Sequence, residues 1–386
     1  MDLTTKGQIR ACCEIRPDAS KFVGKKNFNV KNSLKNYWDS DYRKYLMQTF
    51  LDNKKPVECK NCWTQESKNL TSLRQETNKE NKIVFKTNFK KHLTQMKKLE
   101  LQQPEYVHMS ITNLCNLKCQ MCEGSSSSTL LNENVKLGFE KGLKQKDFDW
   151  TQGSKLKFVN ELLKHDLKSL GLIGGESLMV PEILMLLSEL SKRQEVTENM
   201  QLTVITNGTQ CNDKILDILG KFKKLKIMLS IESTGKQNEY IRFPSNWRVI
   251  ENNVSKFKTL QYATLHINCT VQNLNILYLN QLIDFAHEQN IHLKFNILQK
   301  PTYLKFYNLP ISLLTKSFDK LKNIPKEKLV HTTNFENLLA LIAKHIEQKP
   351  KPSSTEYAEF TTMIKTRDQY RQISIKNYMP EIAQEI

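Results

Sequence analysis

Glu105-Tyr-Val-His-Met-Ser-Ile-Thr-Asn-Leu-Cys-Asn-Leu-Lys-Cys-Gln-Met-Cys122 is the stretch on which the reading of this chain turns. Its first half alternates Val107, Met109 and Ile111 on one face, which predicts a strand over 105–112. Its second half places Cys115, Cys119 and Cys122 on the loop that follows. Downstream, runs of the same β-rich kind recur at 169–173, 201–206, 226–231, 265–271 and 292–297. Helical segments lie between them at 156–164, 182–192, 213–222, 247–260 and 277–289. Strands alternating with helices predict parallel βαβ units. Six strands suit an open barrel better than the full eight, so the expected class is α/β, a partial (β/α)6 TIM-like barrel. The polar stretch 125–153 reads as an insertion with one short helix.

The 386 residues leave room for smaller regions on either side. The expected division is a cysteine module at 1–78, a connecting helix at 79–104, the barrel at 105–300 and a helical extension at 301–386. A helix over about 334–348 and a last one over 357–372 are expected in that extension. No aliphatic run exceeds Ile183 to Leu187, and Met1 to Glu14 lacks the apolar core of a signal peptide, so a cytoplasmic protein is expected. The net charge of +18 comes from 58 basic residues of which nine are Arg. Such a chain can bind nucleic acid through lysine. Because the lysines are dispersed, a solvated coat is the preferred reading.

Three thiolates on one short loop can hold three irons of a [4Fe–4S] cube and leave the fourth iron open to another ligand. Zinc would want a fourth ligand that the neighbourhood lacks. The C-x3-C-x2-C spacing resembles the signature of the radical S-adenosylmethionine (radical SAM) superfamily, and the resemblance extends over about 105–297. The second strand ends Gly174-Gly175-Glu176, similar to the family's GGE motif, the third ends Thr206-Asn207-Gly208, and the fourth ends Ser230-Ile231-Glu232. The resemblance implies that Gly174, Gly175 and Glu176 bind the cofactor's methionine end, Glu176 accepting from its amino group. It implies that Thr206, Asn207, Ser230 and Glu232 also bind the cofactor, the last two at the ribose, and that Met121 gives a backbone contact to adenine. Met121 departs from the aromatic residue more usual there, and Ser177 from proline. The implied chemistry is reductive cleavage of S-adenosylmethionine to a 5′-deoxyadenosyl radical that abstracts a substrate hydrogen. A reducing donor such as a flavodoxin or ferredoxin is implied as partner.

Cys12, Cys13, Cys59 and Cys62 form a second set, in a chain with nine cysteines and no secretory signal. Residues 8–75 resemble a twitch domain, the shortened relative of the SPASM domain, which implies an auxiliary iron–sulfur cluster. Most relatives carry that domain after the barrel. A structural zinc ribbon would use the same ligand count, and either Cys12 or Cys13 could be the ligand. The resemblance implies a peptide or protein substrate. RNA modification and a non-catalytic cluster-bearing binding or sensing protein are the alternatives. No catalytic acid or base can be assigned. Cys211 and Cys269 are expected as buried thiols, Met179 and Met185 as core, and His108 and His266 as core or barrel-lining groups. Tyr240, Arg242 and Asn296 remain candidates for contact with cofactor or substrate.

Overall fold

Alternation of apolar and polar residues decides where each strand of the parallel ladder faces. In the computed structural model, which describes residues 1–15, 34–67, 71–80, 104–348 and 354–385, the chain divides into two compact units. The first unit is Met1–Thr112 with Lys146–Leu170, and the second is Asn113–Gln145 with Gly171–Ile386. The described residues contain nine strands: β1 (Asp2–Leu3), β2 (Ile9–Arg10), β3 (Tyr106–Met109), β4 (Ser169–Leu172), β5 (Gln201–Thr206), β6 (Leu225–Ser230), β7 (Ala263–Val271), β8 (His292–Ile297) and β9 (Thr332–Thr333). The class is mixed α/β with mostly parallel pairing, as expected.

In the second unit β5 to β9 pair in sequence order, all parallel. Leu202, Val204, Ile227, Leu229, Ile267, Cys269, Leu293 and Phe295 point to one face and are buried. Register stacks them across strands, Val204 beside Ile227, Leu229 beside Ile267 and Cys269 beside Phe295. The period of two then sends Ser230, Asn268 and Thr270 to the opposite, more open face. Helices separate the strands: Pro181–Ser191 starts on proline, and Trp247–Lys258 is capped by the Asn246 side chain accepting from Val249 N at 3.2 Å. The extension is helical at Ile311–Lys322, Phe335–Gln348 and Ser354–Arg371.

The sequence reading missed β9, a two-residue strand beside β8 and too short for any periodic signal. It also missed β1, which pairs with β3 through Asp2 beside His108 and Leu3 beside Met109, so the first residues share a ladder with the strand before the cysteine loop. In this first unit Trp150 donates to Thr4 O at 3.1 Å and meets Phe158 edge-on at 5.3 Å. His108 is exposed and is no core residue. Helices occupy Leu34–Trp38, Asp41–Leu51, Lys60–Ser67 and Leu73–Glu80. The expected connecting helix at 79–104 lies outside the described residues over 81–103. No described helix is long and apolar enough to cross a membrane.

Candidate active site

The cysteine loop is tied together before any ligand is considered. Asn113 Nδ2 donates to Gly124 O at 2.6 Å, and Ser128 N donates to Asn113 O at 2.7 Å. Leu117 O accepts from both Ser127 Oγ at 2.5 Å and Thr129 Oγ1 at 2.9 Å. Ser127 also caps the helix Ser128–Lys136 by accepting from Leu130 N at 3.1 Å. The serine run read as part of an insertion therefore closes the loop, and the short helix expected there is present.

The end of β4 packs directly on that loop. Glu176 N donates to Leu114 O at 2.7 Å, and a Cβ on Gly175 would sit 2.2 Å from the same oxygen. Only glycine permits this approach. Gly174 has φ of 112°, also a glycine conformation.

Cys115, Cys119 and Cys122 line one side of a cavity of about 200 Å³, together with Met121, Gly174, Gly175, Thr206, Asn207, Ser230 and Glu232. All three thiols are free. Asn207 Nδ2 reaches Cys115 Sγ at 3.8 Å and Asn116 Oδ1 at 3.0 Å, tying the end of β5 to the first cysteine. Burial, then the nearby Cys119, pushes the Cys115 thiol up to about 11. Cys119 is shifted the other way, first by a hydrogen bond from Cys122 and further by the Arg242 and Arg371 charges.

Glu176 bonds within the chain. It does not line the cavity, and its fully buried carboxylate accepts from Asn207 N at 2.7 Å, Thr206 Oγ1 at 2.9 Å and Leu178 N at 3.2 Å. Burial raises its pKa against these three bonds. In this structure it joins the end of β4 to the end of β5.

The carboxylate that does face the cavity is Glu232. It accepts from Arg242 Nη1 at 2.8 Å and from Thr270 N at 2.6 Å. Burial raises its pKa to about 7 although Arg242 opposes the shift. Arg242 is buried, lines the cavity, and leaves Nε without a hydrogen bond. Burial works against its charge, while Cys119, Glu232 and the other two thiols favour it. Arg242 was only one of several candidates in the sequence, because a single arginine after a strand carries no local signal. Asn296 Nδ2 donates to Asn268 Oδ1 at 2.6 Å, fixing a side chain that lines the cavity. Tyr240 turns away and donates to Asp368 at 2.7 Å. Cys269 is buried as expected, whereas Cys211 is half-buried, as are Met179, Met185 and His266.

The second cysteine set lies in the first unit. Asn61 Nδ2 donates to Glu14 Oε2 at 3.1 Å and so brings the segment carrying Cys12 and Cys13 to the helix carrying Cys62. Cys12 and Cys13 are exposed, Cys59 is half-buried and Cys62 is buried. A hydrogen bond from Cys13 lowers the Cys12 thiol and raises its own. Burial, then the nearby Cys12 and Cys62, pushes the Cys59 thiol up to about 11. Among the described residues no three His, Cys, Asp or Glu side chains converge as a ready single-ion cage at either set. A cube asks for something different, since each thiolate binds its own iron. Three free thiols of one loop around an open cavity fit that demand in donor chemistry, with Gly175 leaving no side chain in the way.

Residues 109–286 match the family described as the Radical SAM superfamily. Among curated proteins the chain is similar to a GTP 3′,8-cyclase of Clostridium perfringens, 25% identical over 200 residues, covering 50% of this chain and 54% of the relative. It is also similar to human Molybdenum cofactor biosynthesis protein 1, 25% identical over 186 residues, covering 48% of this chain and 26% of the relative. Among solved structures it is similar to Streptococcus suis SuiB bound to S-adenosylmethionine, with TM-score 0.43 and 16% identity, covering 64% of this chain and 51% of that one. The chain thus spans about half the length of the first relatives it matches. The cysteine loop, the Gly174-Gly175 approach and the strand-end cavity all fall within residues 109–286, the stretch that matches the Radical SAM superfamily.

Proposed function

We propose that this chain is an enzyme that binds a [4Fe–4S] cluster through Cys115, Cys119 and Cys122 and uses S-adenosylmethionine as cofactor. The observation that carries the reading is the opening of three free thiols and the Glu232–Arg242 pair onto one cavity at the ends of parallel strands. When bound, the cluster and cofactor would supply reductive cleavage to a 5′-deoxyadenosyl radical and hydrogen abstraction from substrate. The chain's own part is to bind and orient. Gly174 and Gly175 bring bare backbone to the cavity wall, where a methionine moiety can lie against it. Arg242 offers its unpaired Nε to a carboxylate, and Ser230 and Asn268 offer polar groups to hydroxyls. Glu232 holds Arg242 in place, and Glu176 fixes Thr206 and Asn207 behind the cavity.

The N-terminal cysteines are read as ligands of an auxiliary iron–sulfur cluster, supported by the Asn61–Glu14 tie between the two pairs. For the substrate, a peptide or protein is proposed on the resemblance of that module to twitch domains. A guanine nucleotide is the second candidate, because curated relatives over half the chain carry the name GTP 3′,8-cyclase. The test is anaerobic reconstitution followed by S-adenosylmethionine and reductant: 5′-deoxyadenosine should form, and its absence overturns the reading. Adding candidate peptides, GTP or RNA then separates the substrate classes by which of them is consumed.

A further inference from the structure

The helix Ser354–Arg371 lies outside the matched domain, yet it reaches the cysteine loop. Phe360, Ile364, Arg367 and Arg371 share one helical face by spacing, and all four are buried. The first two are the apolar contacts that any packed helix requires. The last two end on the backbone around Cys119. Arg367 Nη1 donates to Gln120 O and Gln120 Oε1, each at 2.9 Å. Arg371 Nη2 donates to Lys118 O at 2.8 Å.

The amides of the same two residues are held from elsewhere. Lys118 N donates to Phe243 O at 2.5 Å, and Gln120 N donates to Ile241 O at 2.8 Å. Both peptide groups on either side of Cys119 are therefore fixed by segments more than 100 residues away. Arg371 is itself anchored by Glu133, at 3.1 Å from Nε and 2.7 Å from Nη2, and its guanidinium lies 5.0 Å from the Phe243 ring centre. Asp368 sets the helix rotation by accepting from Tyr240 Oη and Ile375 N, both at 2.7 Å. A buried guanidinium is costly unless its donors are used, and the planar fork of Arg367 spans Gln120 through Nη1 and Asn134 Oδ1 through Nη2 at 3.3 Å, two arms that lysine does not have.

We propose that Arg367 and Arg371 are positioning residues that hold the cysteine loop in its ligand-receiving shape before any cluster is present. The iron measurement below rests on reading that loop as the cluster site, whereas the thiol measurement does not.

The experiment alkylates reduced, metal-free protein with iodoacetamide and follows each cysteine by mass spectrometry. Arg367→Gln keeps the Glu133–Arg371 pair and should raise the rate at Cys119 tenfold or more. The Glu133→Gln, Arg371→Gln double variant removes the Glu133–Arg371 pair, and with it the 3.9 Å ion pair of Arg367 to Glu133, and should do the same. Cys269 should stay protected in both, reporting an intact core. Arg367→Lys keeps the charge but loses the forked hold, and should leave most of the increase in place. After anaerobic reconstitution both Gln variants should carry less iron than wild type. Unchanged Cys119 rates in both, or full recovery by Arg367→Lys, would overturn the positioning role. Wild-type protein that shows the arginine-dependent protection but takes up no iron supports the hold and overturns instead the reading of the loop as a cluster site.

Discussion

The two cysteine sets of this chain are supported differently. Around Cys115, Cys119 and Cys122 the backbone is held by Ser127, Ser128, Thr129, Arg367, Arg371 and the 241–243 segment. Around Cys12 and Cys13 the local supports among the described residues include a turn bond from Ile15 N to Cys12 O at 3.2 Å and the Asn61 amide on Glu14. The first set is buried or half-buried and the second pair is exposed. A held loop has already met the conformational cost of binding, while exposed ligands must meet it when metal arrives. The difference predicts a preformed site in the first set and a metal-ordered one in the second.

The harshest break of that comparison is the Cys115→Ala, Cys119→Ala, Cys122→Ala variant. It should lose 5′-deoxyadenosine formation entirely while the second site keeps its iron, and activity surviving in this variant would end the assignment. Cys59→Ala with Cys62→Ala should remove about half the iron of a two-cluster protein; a stoichiometric zinc lost instead would identify a structural ribbon. Because the second site relies on metal for order, removing metal should increase proteolysis there before it affects the cysteine loop.

Smaller effects sharpen the picture of the held site. Glu176→Ala leaves the Asn207 amide and the Thr206 hydroxyl without acceptor, and should cost about 1–3 kcal/mol in denaturant unfolding of the metal-free protein. A loss of cofactor affinity with no loss of stability would instead return Glu176 to direct contact. Glu232 supplies a pH test. Its folded pKa of about 7 stands above the ordinary 4.5, so the folded state binds the extra proton between those values. Stability therefore falls as pH rises through that window. Glu232→Gln should not show this component, and melting curves of the two proteins at pH 4.5 and 7.5 should diverge accordingly. Identical pH slopes would show that Arg242 offsets burial.

Local periodicity made most of the parallel ladder legible. β5 and β8 fall on their expected residues, and β6 and β7 differ by one or two positions at their ends. The cysteine loop was legible because its ligands are separated by three and two residues, a distance at which sequence and space agree. β9 and β1 were not, since two residues carry no period. The GGE run names Glu176 and not the direction of its carboxylate. That direction depends on donors from β5 and the turn after it, about 30 residues away.

By itself the sequence determined the alternation of strands and helices, the placement of three thiols after β3, and the pair of glycines at 174 and 175. These are short-range properties, set by side-chain period, spacing and backbone freedom. Tertiary structure alone decided which carboxylate faces the cavity, which arginine leaves an Nε unused there, and that a helix near residue 370 holds peptides near residue 119. Contacts separated by 247 and 253 residues leave no local pattern, because their geometry exists only once the chain has brought the two segments together.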